Sequence, residues 1–100
     1  MPYIPPMRIR STRHKGLKAF IESDDARGIR PDQVKRVRNI LAALIHAESM
    51  DEVIGPPGWR IHQLLGEREG TWSVSVSGNW RITFDLDAGE ISNLDLEDYH

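Results

Sequence analysis

Residues 72–86 read Trp72-Ser-Val-Ser-Val-Ser-Gly-Asn-Trp80-Arg-Ile-Thr-Phe-Asp-Leu86, and this stretch decides the fold class. Apolar and polar residues alternate on both sides of Ser77-Gly78-Asn79, which supplies tight-turn chemistry. A period of two predicts a pair of strands that each bury one face and are joined as a hairpin. The expected core positions are Trp72, Val74, Val76, Trp80, Ile82, Phe84 and Leu86.

The segments on either side of this hairpin extend the predicted sheet. Downstream, Asp87-Ala88-Gly89 predicts a second turn, and a last strand is expected over Ile91–Tyr99. Upstream, Trp59–Leu64 predicts another strand. A short strand is also expected at Met7–Arg10, where apolar and basic residues alternate.

The N-terminal half has helical spacing instead. Pro31 is suited to a first helical turn, and the helix that it opens is expected to end near residues 48–50. The apolar arc of this helix consists of Val34, Val37, Ile40, Leu41, Leu44 and Ile45. Lys35, Arg36 and Arg38 fall outside the arc and are expected to face water.

An earlier helix is expected over residues 13–23, with Ser11 or Thr12 as its N-cap. Gly28 follows it and suits a left-handed turn position. Two helices followed by an antiparallel meander predict an α+β fold. Both helices should pack on one face of a mainly antiparallel sheet of four to five strands.

Composition narrows the classes of function for this 100-residue chain, which is the length of one domain. The absence of cysteine excludes a disulfide framework, a thiolate zinc site and a cysteine nucleophile. The four histidines lack the helical spacing of a metal site, so no metal or other cofactor is expected. Because neither a membrane span nor a signal peptide is recognisable, a cytoplasmic location without membrane partners is expected.

Charge is divided unevenly along the chain, although the net charge is only −2. Residues 1–50 carry ten Lys and Arg against five Asp and Glu, and residues 51–100 carry three against ten. The split predicts either two ordinary solvated faces or a basic surface that binds an anion.

A few groups in the acidic half are suited to phosphodiester chemistry. His62 lies on a predicted strand, Arg68 in a polar loop, and Asp98-Tyr99-His100 at the end of the sequence. Arg81 alternates with core residues and should project from the opposite face of the sheet. Imidazole moves protons near neutral pH and arginine binds phosphate in a bidentate manner. Each residue alone is typical of a protein surface, but together they fit metal-free cleavage of RNA.

Motifs from several parts of the chain occur in the order and spacing of one known family. They are His14-Lys15-Gly16-Leu17, Pro57-Gly58-Trp59-Arg60, His62-Gln63-Leu64-Leu65-Gly66, Arg68, Gly70, Trp72-Ser73-Val74, Asn79-Trp80-Arg81-Ile82-Thr83-Phe84, Asp95 and Glu97-Asp98-Tyr99-His100. Through these motifs the chain resembles the HigB toxins, which are host-inhibition proteins of the RelE superfamily. The resemblance extends over about residues 8–100 and leaves only the proline-rich lead-in, residues 1–6, unmatched.

The resemblance implies a single RelE-like toxin domain over residues 1–100. It also implies a ribosome-dependent mRNA endoribonuclease that a HigA-like antitoxin with a helix-turn-helix domain neutralises. The expected partners are therefore this antitoxin, the ribosome and mRNA. Operator DNA would be bound only through the antitoxin complex.

The same resemblance assigns roles to individual residues. His62 corresponds to the histidine that opens the active-site strand, and Arg81 to the arginine at the scissile phosphate. Asp98, Tyr99 and His100 correspond to the terminal group that positions the nucleotide and assists proton transfer. The implied reaction is attack of a 2′-hydroxyl on the adjacent phosphate. The expected RNA and ribosome contacts are Arg68, Lys15, Lys18, Lys35, Arg36 and Arg38.

One position departs from the family pattern. Leu65 stands where the family motif commonly has lysine, which removes a positive charge beside the phosphate. Loss of one such donor costs about 10²–10³ in rate in other enzymes. A weakened nuclease is therefore expected, with Arg68 as a partial substitute.

Two other functions remain open at this stage. A catalytically silent toxin fold would bind an antitoxin without cleaving RNA, and a ParE-like protein on the same fold would inhibit DNA gyrase. Codon-phased mRNA cleavage separates the nuclease from both alternatives.

Overall fold

The computed structural model describes residues 8–53 and 55–98, which form two α-helices and one five-stranded sheet. The elements are β1 (Arg8–Ile9), α1 (Lys15–Ser23), α2 (Val34–His46), β2 (His62–Gln63), β3 (Trp72–Ser77), β4 (Trp80–Asp87) and β5 (Glu90–Asp98). Short 3₁₀ turns occur at Pro31–Gln33, Met50–Glu52, Pro57–Trp59 and Gly66–Arg68. The predicted α+β fold class is confirmed.

The sheet has the strand order β1-β5-β4-β3-β2. β1 runs parallel to β5, and all the other neighbours are antiparallel. The predicted hairpin is present as β3 and β4, with Gly78 in the turn at a φ of 54°. In β5, Asn93 has a φ of 53° at a register shift between β4 and β5, which makes a local bulge in the strand.

The core lies between the helices and one face of the sheet. Register places Val74, Ile82 and Leu96 side by side on neighbouring strands, and all three are buried. Other buried apolar residues include Leu17, Phe20, Val37, Ile40, Leu41, Leu44, Val76, Phe84, Ile91 and Leu94. The alternation that predicted the hairpin therefore separates a core face from a polar face.

The N-cap of α1 is His14, so the prediction of Ser11 or Thr12 is wrong. The Leu17 N–H donates to His14 Nδ1 at 3.0 Å. Thr12 is still extended and bridges to Leu94 of β5, which delays the start of the helix. The Ser11 hydroxyl accepts instead from the backbone N–H of Asn93.

The left-handed position after α1 is Asp24, with a φ of 52°, and not Gly28 as predicted. Gly28 has another role, since its backbone packs directly on Gly16 of α1. A Cβ built at Gly16 would lie 2.4 Å from the Gly28 carbonyl oxygen. Both positions require glycine for this close approach.

Two further predictions are corrected by the structure, one for the segment after α2 and one for α2 itself. The predicted strand over residues 59–64 is shortened to His62–Gln63, because Trp59 belongs to a 3₁₀ turn and Arg60 has a left-handed φ of 47°. Ile45 of the predicted apolar arc is exposed, while the other apolar positions of α2 contact the core. Met7, residues 1–6 and Tyr99 of the expected segments lie outside the described residues.

No helix within residues 8–53 and 55–98 is long and apolar enough to cross a membrane.

Candidate active site on the polar face of the sheet

The face of the sheet that points away from the helices carries polar residues in register. One row runs across four strands as His62, Ser73, Thr83 and Asp95. The neighbouring row contains Ser75, Arg81 and Glu97. These residues share a face because side chains two positions apart on a strand point the same way. We call this surface the polar face.

Arg81 lies near the middle of the polar face, on β4. Its Nη1 donates to Ser73 Oγ at 3.3 Å, a contact that directs the guanidinium towards β3 and the His62 side of the sheet. Its strand is two spacings from β2 and Arg81 is two residues from the row of His62, so the two backbones are separated by about 12 Å. The prediction that Arg81 projects away from the core is confirmed.

His62 is exposed at the open edge of the sheet. Its Nδ1 lies 2.6 Å from the carbonyl oxygen of Arg60. A carbonyl can only accept, so this contact assigns the proton of the neutral ring to Nδ1. The lone pair is then on Nε2, and this nitrogen is the one that can remove a proton.

Arg68 forms a bidentate ion pair on the polar face. Its Nη1 and Nη2 donate to the two carboxylate oxygens of Glu97 at 3.0 and 2.7 Å. The Thr83 hydroxyl also donates to Glu97 Oε2. The pKa of the Glu97 carboxyl is lowered, chiefly by the hydrogen bonds from Arg68. The Thr83 hydrogen bond lowers it further, while partial burial acts in the opposite direction.

A second carboxylate on this face accepts a hydrogen bond on each of its two oxygens. Asp85 accepts from the Asn93 amide at 2.9 Å and from the Thr71 hydroxyl at 2.7 Å. These bonds lower the pKa of Asp85, with Arg13 and Arg68 adding a weaker attraction. Asp85 and Glu97 are therefore both ionised at neutral pH.

These groups line a concavity of about 250 Å³. Its lining residues are Arg13, Glu67, Arg68, Thr71, Asp85, Asn93, Asp95 and Glu97. Four carboxylates and two guanidiniums give this hollow a net negative charge, so it repels a phosphate. Arg81 is not among the lining residues.

The structure places the terminal group only in part. Asp98 pairs with Trp80 across β5 and β4, one position beyond Glu97 and Arg81. Alternation puts Asp98 on the side of Leu96, whereas Glu97 shares the face of Arg81. Tyr99 and His100 lie outside the described residues.

Leu65 occupies the turn that follows β2. Its side chain is 86% exposed, although it is a large apolar residue. The turn is closed by backbone hydrogen bonds from Leu64 N to Thr71 O and from Glu69 N to Gly66 O. A side chain at position 65 is therefore held outside the core, three residues after His62 in the sequence.

Comparison with known proteins defines the family of the chain. A family model described as RelE-like toxin of type II toxin-antitoxin system HigB matches residues 10–100. The chain belongs to this toxin family. It is 39% identical over 92 residues to Endoribonuclease HigB of Proteus vulgaris, which covers 92% of this chain and 99% of that protein.

Solved structures agree on the fold of the toxin. YafQ from E. coli strain BL21(DE3) superposes with a TM-score of 0.55 at 13% identity, covering 92% of each chain. The E. coli DinJ-YafQ toxin-antitoxin complex gives 0.54 at 13% identity, covering 92% of this chain and 91% of that one. At this low identity the likeness extends to the fold alone.

The basic residues predicted to bind the ribosome lie on the helices of the toxin. Lys15, Lys18, Lys35, Arg36 and Arg38 are all exposed. Arg38 pairs with Asp24 at 3.0 Å and stacks on Phe20 at 4.7 Å. Lys18 lines one hollow together with Arg10, and Lys35 and Arg36 line a second one together with Trp59.

Sequence reasoning missed the polar partners of the two arginines on the polar face. Ser73 accepts from Arg81, Glu97 accepts from Arg68, and Thr83 donates to Glu97. None of the three was singled out as a site residue. The signal was present, because all three alternate with core residues in β3, β4 and β5. Knowledge of the strand register was needed to see that they meet.

Proposed function

We propose that the toxin is a ribosome-dependent mRNA endoribonuclease that needs no metal and inhibits translation. The observation that carries the proposal is the placement of Arg81 and His62 on one polar face of the sheet. The relative from Proteus vulgaris supports the proposal further. It is named an endoribonuclease, and this chain matches it over nearly its whole length.

In the proposed reaction, the 2′-oxygen of a ribose attacks the adjacent phosphorus and the 5′-oxygen of the next nucleotide leaves. A 2′,3′-cyclic phosphate and a free 5′-hydroxyl result. Nε2 of His62 accepts the 2′ proton, because Nδ1 is committed to the Arg60 carbonyl. The guanidinium of Arg81 stabilises the charge that develops on the phosphate.

The terminal residues complete this proposal. We assign Tyr99 to positioning of the nucleotide and His100 to protonation of the leaving 5′-oxygen. Asp98, the third residue that the resemblance singled out, shares the face of Leu96 and receives no direct contact with the nucleotide in this proposal. Arg68, which the resemblance placed among the RNA contacts, has its guanidinium bound by the Glu97 carboxylate.

The remaining assignments concern partners. Lys15, Lys18, Lys35, Arg36 and Arg38 dock the toxin on ribosomal RNA, since exposed cations supply the sequence-independent part of RNA binding. A HigA-like antitoxin with a helix-turn-helix domain neutralises the toxin in the cytoplasm. Operator DNA is contacted only through the resulting complex.

The experiment is induction of the toxin in a growing bacterium, followed by primer extension on a translated reporter mRNA. We expect codon-phased cuts that disappear in Arg81→Ala and in a variant that lacks His100. Arg27→Ala is the matched control, because it removes an exposed arginine on the other side of the molecule that pairs with Asp25.

The alternatives predict different results in the same experiment. Growth arrest without mRNA cuts contradicts the nuclease and favours a gyrase inhibitor. Absence of both arrest and cuts favours a catalytically silent protein that binds an antitoxin.

A further inference from the structure

One ion pair spans the polar face from side to side. Arg68 lies in the turn between β2 and β3, whereas Glu97 lies near the end of β5, 29 residues later in the sequence. β2 and β5 are separated by three strand spacings, or about 14 Å. The turn that carries Arg68 therefore reaches over the sheet, and its ion pair connects the segment after β2 to β5.

The geometry of the contact makes it stiff. Both Nη atoms of Arg68 engage both Glu97 oxygens, and such a bidentate pair fixes the plane of the guanidinium. The Thr83 hydroxyl holds the same carboxylate from β4, the strand adjacent to β5. The Arg68 side chain is 39% exposed and that of Glu97 25%, so water screens the pair only in part.

The two ends of the contact lie next to the two halves of the proposed catalytic group. Arg68 follows His62 by six residues, on the turn that closes β2 against β3. Glu97 directly precedes Asp98 and is in register with Arg81. A change in this contact moves the turn beside His62 relative to the strand that leads into the terminal residues.

We propose that Arg68 and Glu97 form a strap across the polar face that positions His62 relative to Arg81 during RNA cleavage. The two residues are positioning residues in this role, and the inference rests on the proposed function. The lowered pKa of Glu97 agrees with a permanently ionised strap at neutral pH. Within the strap the charges of Arg68 and Glu97 cancel, so Arg68 orients the site instead of binding phosphate directly.

The strap and a direct phosphate contact predict opposite kinetic effects. In the strap, Glu97→Gln and Arg68→Gln each lower kcat for mRNA cleavage on programmed ribosomes by about 10- to 100-fold, as expected for a misplaced catalytic group. KM changes by less than about twofold, because RNA binding does not use Arg68. The double variant is no slower than the slower single variant, since both substitutions open the same contact.

If Arg68 binds the phosphate instead, Glu97→Gln releases it and lowers KM, while Arg68→Gln raises KM. That pattern, or a double variant with multiplied defects, overturns the strap. Asp87→Asn is the matched control, because it removes an exposed carboxylate at the other end of β4 from Arg81. We expect its kcat to remain within about twofold of the wild type.

Amide hydrogen exchange separates failure of the strap from failure of the proposed function. In Glu97→Gln, the amides of Glu69, Gly70 and Thr71 should exchange faster, because they close the turn that the strap holds. Unchanged exchange overturns the strap even if the wild type cleaves mRNA. Wild-type toxin that fails to cleave mRNA contradicts the proposed function, while faster exchange in the variant still supports the strap.

Discussion

Restoring a positive charge at position 65 should accelerate the toxin. Leu65→Lys places an ammonium on the turn three residues after His62, at a position that is 86% exposed. The replaced side chain contributes little to the core, so the free energy of unfolding should change by no more than about 0.5 kcal/mol. Any change in cleavage rate then reports on the charge itself.

The size of the effect follows from the charge that the phosphate gains. Attack by the 2′-oxygen adds about one negative charge to the phosphate in the transition state. A cation about 4 Å away stabilises one such charge by about 1 kcal/mol in water and about 4 kcal/mol near a protein surface. The high exposure of position 65 favours the lower value. We therefore expect a five- to tenfold increase in kcat, since about 1.4 kcal/mol corresponds to tenfold.

The assay is single-turnover cleavage of mRNA on programmed ribosomes, with thermal unfolding measured in parallel. Leu65→Gln is the control, because it introduces a polar side chain without a charge. The increase should also shrink as salt is raised, since an exposed charge is screened. An unchanged rate in Leu65→Lys, or an equal increase in Leu65→Gln, would show that position 65 does not lie near the phosphate.

Three further predictions concern stability. Gly16→Ala should cost about 1–3 kcal/mol by overpacking, seen as a lower Tm, because its methyl group would meet the Gly28 carbonyl oxygen at 2.4 Å. His14→Ala should cost about 1 kcal/mol in urea unfolding, because the Leu17 N–H loses its acceptor. Above pH 4.5, the ordinary pKa of its carboxyl, Glu97 should stabilise the wild type relative to Glu97→Gln, because its full contribution to the free energy of unfolding is present there. Unfolding measured as a function of pH checks this. The difference should disappear as the pH falls through the lowered pKa of the folded state.

Each of these has a result that contradicts it. A Gly16→Ala variant as stable as the wild type would mean that the two backbones separate freely. Equal stability of His14→Ala would mean that the cap contributes nothing. A Glu97→Gln difference that persists well below the lowered pKa would show that the carboxylate charge is not its source.

The alternation of residues 72–86 was enough to predict the β3–β4 hairpin and its buried face. Successive side chains of a strand point alternately into the core and to the opposite surface. The alternating pattern alone therefore places Ile82 and Arg81 on different faces. The apolar arc of α2 was predictable for the same reason, apart from Ile45 at the edge of the arc.

Contacts between distant segments limited the sequence predictions elsewhere. The cap of α1 was misplaced because Thr12 bridges to β5, and no local pattern encodes that bridge. The role of Gly28 was misread because its partner, Gly16, lies twelve residues earlier in the sequence.

The candidate site shows the same limit. Residue type and strand alternation were enough to predict that His62 lies on a strand and that Arg81 projects away from the core. Only the strand order was needed in addition to obtain the distance between them. The contact of Arg68 with Glu97 depends on how the turn after β2 lies over the sheet. This turn has positive φ angles at Gly66 and Gly70, and its path could not be derived from the spacing of residues.

The most direct test of the account is the chemistry of the RNA ends that the purified toxin produces on programmed ribosomes. Attack by the 2′-oxygen with Arg81 at the phosphate predicts a 2′,3′-cyclic phosphate on one product and a 5′-hydroxyl on the other, with both lost in Arg81→Ala. Products with a 3′-hydroxyl and a 5′-phosphate, or unchanged cleavage by Arg81→Ala, would contradict it.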